Sequence, residues 1–66
     1  MEHYIDLTDG ETYEAVATAL LKFGYEAQTI DFAFDIYGLN EGTLENLLYW
    51  MGIDEEEFLG VAGLLD

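Results

Sequence analysis

Residues 29–38, Thr29-Ile30-Asp31-Phe32-Ala33-Phe34-Asp35-Ile36-Tyr37-Gly38, admit two readings that lead to different folds. Ile30, Phe32, Phe34 and Ile36 alternate with Asp31, Ala33, Asp35 and Tyr37, the period of a half-buried strand. Ile30, Ala33, Phe34 and Tyr37 also form an i, i+3, i+4, i+7 stripe, with Asp31 and Asp35 together on another face, as an amphipathic helix requires. Thr29 stands where an N-cap would be, and Gly38 where a helix would stop. A strand needs a partner, and the only other candidate is the short run Tyr4 to Leu7. Helix is therefore the preferred reading, with strand as the alternative.

The segments on either side repeat the helical design. From about Asp9 to Phe23, Tyr13, Val16, Ala17, Leu20 and Leu21 recur at helical spacing. Thr8 and Glu11 have capping-box spacing before this segment, and Gly24 follows it. From Glu41 to Met51, Asn40 is placed as N-cap, Leu44, Leu47, Leu48 and Met51 share a face, and Gly52 terminates. A fourth segment opens at Asp54, followed by Glu55, Glu56 and Glu57, and runs through Phe58, Val61, Ala62 and Leu65. The expected fold is mainly α: a compact bundle of about four short helices in a single domain over residues 1–66, with a short extended segment at Tyr4 to Leu7 as an optional addition.

Chain length limits the core, since a domain of about 60 residues buries only about 60% of the surface its unfolded chain exposes. Hydrophobic residues make up 52% of the 66, including five Tyr, four Phe and one Trp. That composition is enough to fold despite a strong charge imbalance. There is no Cys, so no disulfide framework or thiolate metal site is available, and a reducing, cytoplasmic setting is expected. Met1-Glu2-His3-Tyr4 lacks the features of a secretory leader, and no apolar run approaches the roughly 20 residues that span a bilayer.

Fifteen Asp and Glu face a single Lys22 and no Arg, for a formal net charge of −14. Phosphate backbones and anionic lipids are bound through Lys and Arg, so direct binding to nucleic acid or membrane is not expected. Ser and Cys nucleophiles are absent, and His3 is read as a solvated end residue. Asp6-Leu7-Thr8-Asp9-Gly10-Glu11 lacks the ligand spacing of a calcium-binding loop. The chain is therefore expected to be no enzyme and to carry no cofactor or metal.

Helix N-termini favour carboxylates, and this accounts for Asp9, Glu11, Asp31, Glu41, Asp54, Glu55, Glu56 and Glu57 on the expected helix boundaries. It leaves unexplained why Lys22 alone marks the C-terminal turns. Asp31 with Asp35, and Glu41 with Glu45, lie at i, i+4, about 6 Å apart, similar to the spacing of successive phosphates in a nucleic-acid strand. Tyr49 lies one turn beyond Glu45 on that acidic face, Met51 joins the core stripe, and Trp50 at the border is read as core in preference to a surface binding residue. The expected partner-binding residues are Asp31, Asp35, Glu41, Glu45, Tyr49, Glu55 and Glu56. The expected partner is a basic nucleic-acid-binding protein, the chain itself being a monomer or homodimer.

Two resemblances accompany these readings. Phe34, Gly38, Leu39, Asn40, Thr43, Leu44 and Leu47 fall at the spacings of a repressor-like helix-turn-helix over residues 30–51. That resemblance implies an outward face of Glu41, Gly42, Glu45, Asn46 and Tyr49 where a repressor meets base edges. The DNA-binding role does not carry over, because no side chain nearby holds a phosphate. In length, charge and lack of catalytic residues the whole chain resembles short, acidic, phage-encoded inhibitors of host defence, the anti-CRISPR and antirestriction proteins that mimic DNA. This resemblance implies a non-enzymatic inhibitor occupying the nucleic-acid site of a CRISPR effector or similar protein in a bacterial cytoplasm. The alternative is an acidic interaction or dimerisation module whose charge serves solubility or life in high salt.

Overall fold

Three of the four helices start at a side chain that caps their first free amides, and each is followed by a glycine whose N–H returns to the last turn. The computed structural model describes residues 5–65, in which α1 spans Gly10–Phe23, α2 Ala27–Tyr37, α3 Glu41–Met51 and α4 Glu55–Ala62, with no strand among the described residues. The region read two ways from its sequence is thus helix. A helix satisfies its backbone internally, whereas a strand at 30–37 would need the ladder partner that residues 5–7 do not provide. Ile5 and Leu7 instead bury their side chains in the helical core. Tyr4, the start of the suggested extended segment, and His3 lie outside the described residues.

Two of the expected N-caps are displaced. Asp9, rather than Thr8, caps α1: its Oδ2 accepts from the Thr12 backbone N–H and hydroxyl, both at 3.0 Å. Thr8 is diverted to Asp6, whose Oδ1 accepts from its N–H at 3.1 Å and its hydroxyl at 2.5 Å, so the Thr8/Glu11 capping box does not form. In α2 the N-cap is Glu26, without a side-chain cap bond, and Thr29 lies inside the helix. Asn40 and Asp54 cap as read, accepting from Thr43 N–H and Glu57 N–H, each at 3.0 Å.

Three of the four helices end in the same way. Past α1, α3 and α4 a glycine in left-handed conformation is followed by an apolar residue whose N–H reaches back over the last turn. Tyr25 N–H donates to Leu20 O at 3.0 Å, Ile53 to Leu48 O at 2.9 Å and Leu64 to Leu59 O at 2.9 Å. These are Schellman closures, and Tyr25, Ile53 and Leu64 each pack against the core, as the motif's apolar contact requires. This closure stops α4 at Ala62, short of the expected run to Leu65. Gly38 differs, with φ 101° and ψ 161°, and Leu39 beyond it is exposed rather than folded back.

Packing follows from these boundaries. Helix α1 lies against α2 and α4, and α2 against α3, around Val16, Ala19, Leu20, Ile30, Phe34, Leu44, Leu47, Leu48, Phe58 and Leu59. Burying one of the larger side chains here contributes roughly 1.5–3 kcal/mol. Phe23 packs on Phe58 with ring centroids 5.8 Å apart. The Tyr25 hydroxyl donates to the Leu47 carbonyl at 2.5 Å, fixing the α1–α2 turn on α3. Several residues assigned to the core from periodicity lie outside it: Leu21, Tyr37, Val61 and Leu65 are exposed, as is Met51 at 45%. Leu21, Tyr37, Met51 and Val61 sit towards the ends of their helices, where short neighbouring helices leave little to cover them, Leu65 lies beyond the end of α4, and Leu59 takes the core position in α4 that the stripe assigned to Val61.

Candidate partner-binding surface

Helix α2 sets the position of the first pair of carboxylates. Because it begins at Ala27, its first turn contains no acidic residue, and Asp31 lies beyond the reach of the N-terminal amides that its expected placement would have given it. Asp31 and Asp35 are both exposed. They line an open groove of about 410 Å³ whose remaining walls are Leu7, Thr8, Gly10, Tyr13, Phe34 and Leu39. The Tyr13 hydroxyl donates to Asp31 Oδ1 at 3.0 Å, and its ring meets Phe34 edge-on with centroids 5.4 Å apart. Burial, then the hydrogen bond to Asp31 and the negative charge of that carboxylate, raise the Tyr13 pKa above the ordinary 10.0.

A second group forms where α3 meets the start of α4. Glu45, Tyr49 and Glu55 line a groove of about 560 Å³ together with Asn46, Leu48 and Ile53. Tyr49 is 82% exposed, so the outward face of α3 offers one aromatic ring among carboxylates. Glu41 is half-buried in the first turn of α3 and Glu56 is exposed in the first turn of α4, and neither lines these two grooves. The seven expected residues are therefore distributed over two grooves and two helix starts.

Trp50 was assigned to the core by its position at the border of the apolar stripe. It is instead 56% exposed, with its ring 6.4 Å from that of Tyr37 at an interplanar angle of 67°. Leu44, Leu47 and Leu48 already fill the space between α3 and its neighbours, leaving the indole only the exposed end of α2 to lean on. Phe32 and Ile36, one turn apart on α2, are likewise exposed.

Tyr13 and Leu39 were not foreseen as parts of this surface. No local spacing connects Tyr13 to Asp31, since the contact is created by the packing of α1 on α2. Leu39 had a visible signal, an apolar residue following a helix-ending glycine, but the other three such residues fold inward. Among the described residues no three His, Asp or Glu side chains converge to hold a metal ion, and no helix is long and apolar enough to cross a membrane.

No protein-family model, curated protein or solved structure matches this chain.

Proposed function

We propose that this chain is a non-enzymatic inhibitor that occupies a basic, nucleic-acid-binding site on another protein, with helix-borne carboxylates standing in for phosphates. The observation that carries this reading is the placement of Asp31, Asp35 and Glu45. All three are exposed, and none lies in the first turn of its helix, where capping would account for it. Fifteen acidic residues against one Lys give the surface a single sign, unlike the mixed charge of an ordinary solvated surface. A CRISPR effector or a restriction enzyme in an infected bacterial cell has the required basic channel.

Replacing Asp31, Asp35, Glu41 and Glu45 with Asn and Gln keeps the shape and removes the charge. Binding to such a partner should fall while the helical circular dichroism remains, and the partner's DNA or RNA should displace the parent protein competitively. Inhibition unchanged in the variant, or simultaneous binding of nucleic acid and protein, would sink the mimicry. A second reading is favoured by the exposure of Phe32, Ile36, Tyr37 and Trp50: an interaction module that docks or dimerises through these apolar side chains, with its charge serving solubility.

A further inference from the structure

We infer that the groove between the N-terminal segment, α1 and α2 receives an arginine side chain presented by a protein partner. This inference rests on the charge-directed reading above and names the group that the surface would capture. The groove, about 410 Å³, is open to solvent, a shape that admits a side chain presented from outside rather than an enclosed small molecule. Its walls combine two chemistries. Leu39, exposed at 45%, offers apolar surface suited to an aliphatic stem above a floor formed by the edges of the buried Leu7 and Phe34, while Asp31 and Asp35 offer carboxylates one helical turn apart.

The Tyr13 hydroxyl already holds Asp31 Oδ1 at 3.0 Å. That bond fixes the carboxylate before any ligand arrives and leaves its second oxygen, with the carboxylate of Asp35, to accept. A guanidinium suits this arrangement better than an ammonium. Its planar array of five donors can address two neighbouring carboxylates at once, and its weak hydration suits an apolar wall. Tyr13 also lines the groove and places an aromatic ring beside the cation. A second copy of this chain cannot supply the occupant, since the sequence has no Arg and only Lys22. Anionic groups are repelled by both carboxylates. The occupant therefore belongs to a basic partner.

The test is an NMR titration of the full chain with N-acetyl-arginine amide and N-acetyl-lysine amide at matched ionic strength. The arginine probe should give saturable amide shifts centred on Tyr13, Asp31, Asp35 and Leu39, with the lysine probe severalfold weaker. Equal effects of both probes, spread over the carboxylates of all helices, would mean that the groove recognises only positive charge and would overturn the inference. Leu39→Asn keeps the net charge at −14 and removes an exposed apolar wall. It should weaken arginine binding by about tenfold. Asp31→Asn with Asp35→Asn should abolish the saturable shifts while the spectrum stays dispersed.

Arginine affinity unchanged in Leu39→Asn refutes the apolar part of the site. A basic partner that binds the Asp31→Asn, Asp35→Asn variant as tightly as the parent refutes the groove as an anchor and leaves the broader charge reading standing. Saturable arginine binding in a chain that fails to compete with nucleic acid has the opposite meaning: the groove stands and the mimicry fails.

Discussion

Tyr13 and Asp31, 18 positions apart in the chain, are joined by a 3.0 Å hydrogen bond from phenol to carboxylate that ties the exposed side of α2 to α1. The same ring leans edge-on against Phe34, so one side chain serves both the packing and the polar rim of a groove. Tyr13→Phe should keep the ring contact and lose the bond, lowering stability by about 0.5–1.5 kcal/mol. Tyr13→Ala should cost more by removing the aromatic contact as well. Urea denaturation of both variants, with Asp31→Asn as the third corner of a cycle, checks this. Equal losses for Phe and Ala would mean that the ring contributes nothing.

Alkaline pH should weaken the fold through two tyrosines. Burial raises Tyr25 above the ordinary 10.0, and burial together with Asp31 raises Tyr13. A raised pKa means that the folded state holds the proton more tightly than the unfolded state. The associated stability is fully present below about pH 10 and is lost as pH rises through the folded pKa values. Denaturant midpoints measured from pH 9 upward should fall, and tyrosinate absorbance should show part of the titration above pH 10. Tyr25→Phe should flatten the fall.

Much of this fold was legible in the sequence because its punctuation is local. Gly24, Gly52, Asn40 and Asp54 work through backbone atoms a few residues away, and their chemistry fixes helix ends without reference to the rest of the chain. At 30–37 the sequence favours helix, since Tyr4 to Leu7 is its only candidate strand partner, but leaves strand open; the structure decides it as α2. Core membership at helix ends was less legible. Met51 and Tyr37 lie on the correct faces by periodicity, but their burial depends on the length of the neighbouring helices. The candidate site was legible only in its charges. Asp31 and Asp35 could be named, whereas the apolar walls and the Tyr13 bond arise from the packing of distant segments. Moving the start of α2 back to Ala27 also removed the capping explanation for Asp31, a change with functional weight that followed from a displaced N-cap.

Two glycine substitutions should have opposite signs. Gly38 has φ 101°, and a Cβ there would lie 2.9 Å from Asn40 Nδ2, crowding the side chain that caps α3. Gly38→Ala should destabilise by about 1–3 kcal/mol. Gly60 lies within α4, and a Cβ there meets nothing within 4 Å. Gly60→Ala should stabilise by about 0.5–1 kcal/mol. Thermal melts of the two variants measure both; stabilisation by Gly38→Ala would show that the α2–α3 turn relaxes into another conformation.

Salt should stabilise the folded chain. The molecule measures 28 × 23 × 17 Å, so at 0.01 M salt, where the Debye length is about 30 Å, almost every carboxylate feels the field of the others. The net charge of −14 then opposes the compact state more than the expanded one. Raising salt from low to moderate concentration should raise the Tm. A flat or falling Tm would indicate that the carboxylates are spaced too widely to act together.

Trp50 separates the charge-directed reading from the apolar one. Its indole is 56% exposed and rests on Tyr37, so Trp50→Ala should destabilise the fold by clearly less than the roughly 3–5 kcal/mol typical of a buried Trp or Phe. Its effect on partner binding is the informative quantity. A docking surface centred on this ring would make it a hot spot, with a loss of about 2 kcal/mol or more and little dependence on salt. A surface that works through Asp31, Asp35 and Glu45 would instead lose affinity when those groups are neutralised, with the loss largest at low salt and falling as the attraction is screened. We expect the second pattern, with Trp50→Ala costing less than the triple neutralisation. Binding measured for both variants at two salt concentrations decides between them, because a salt-independent collapse in Trp50→Ala alone assigns the interface to the apolar face of α2 and α3.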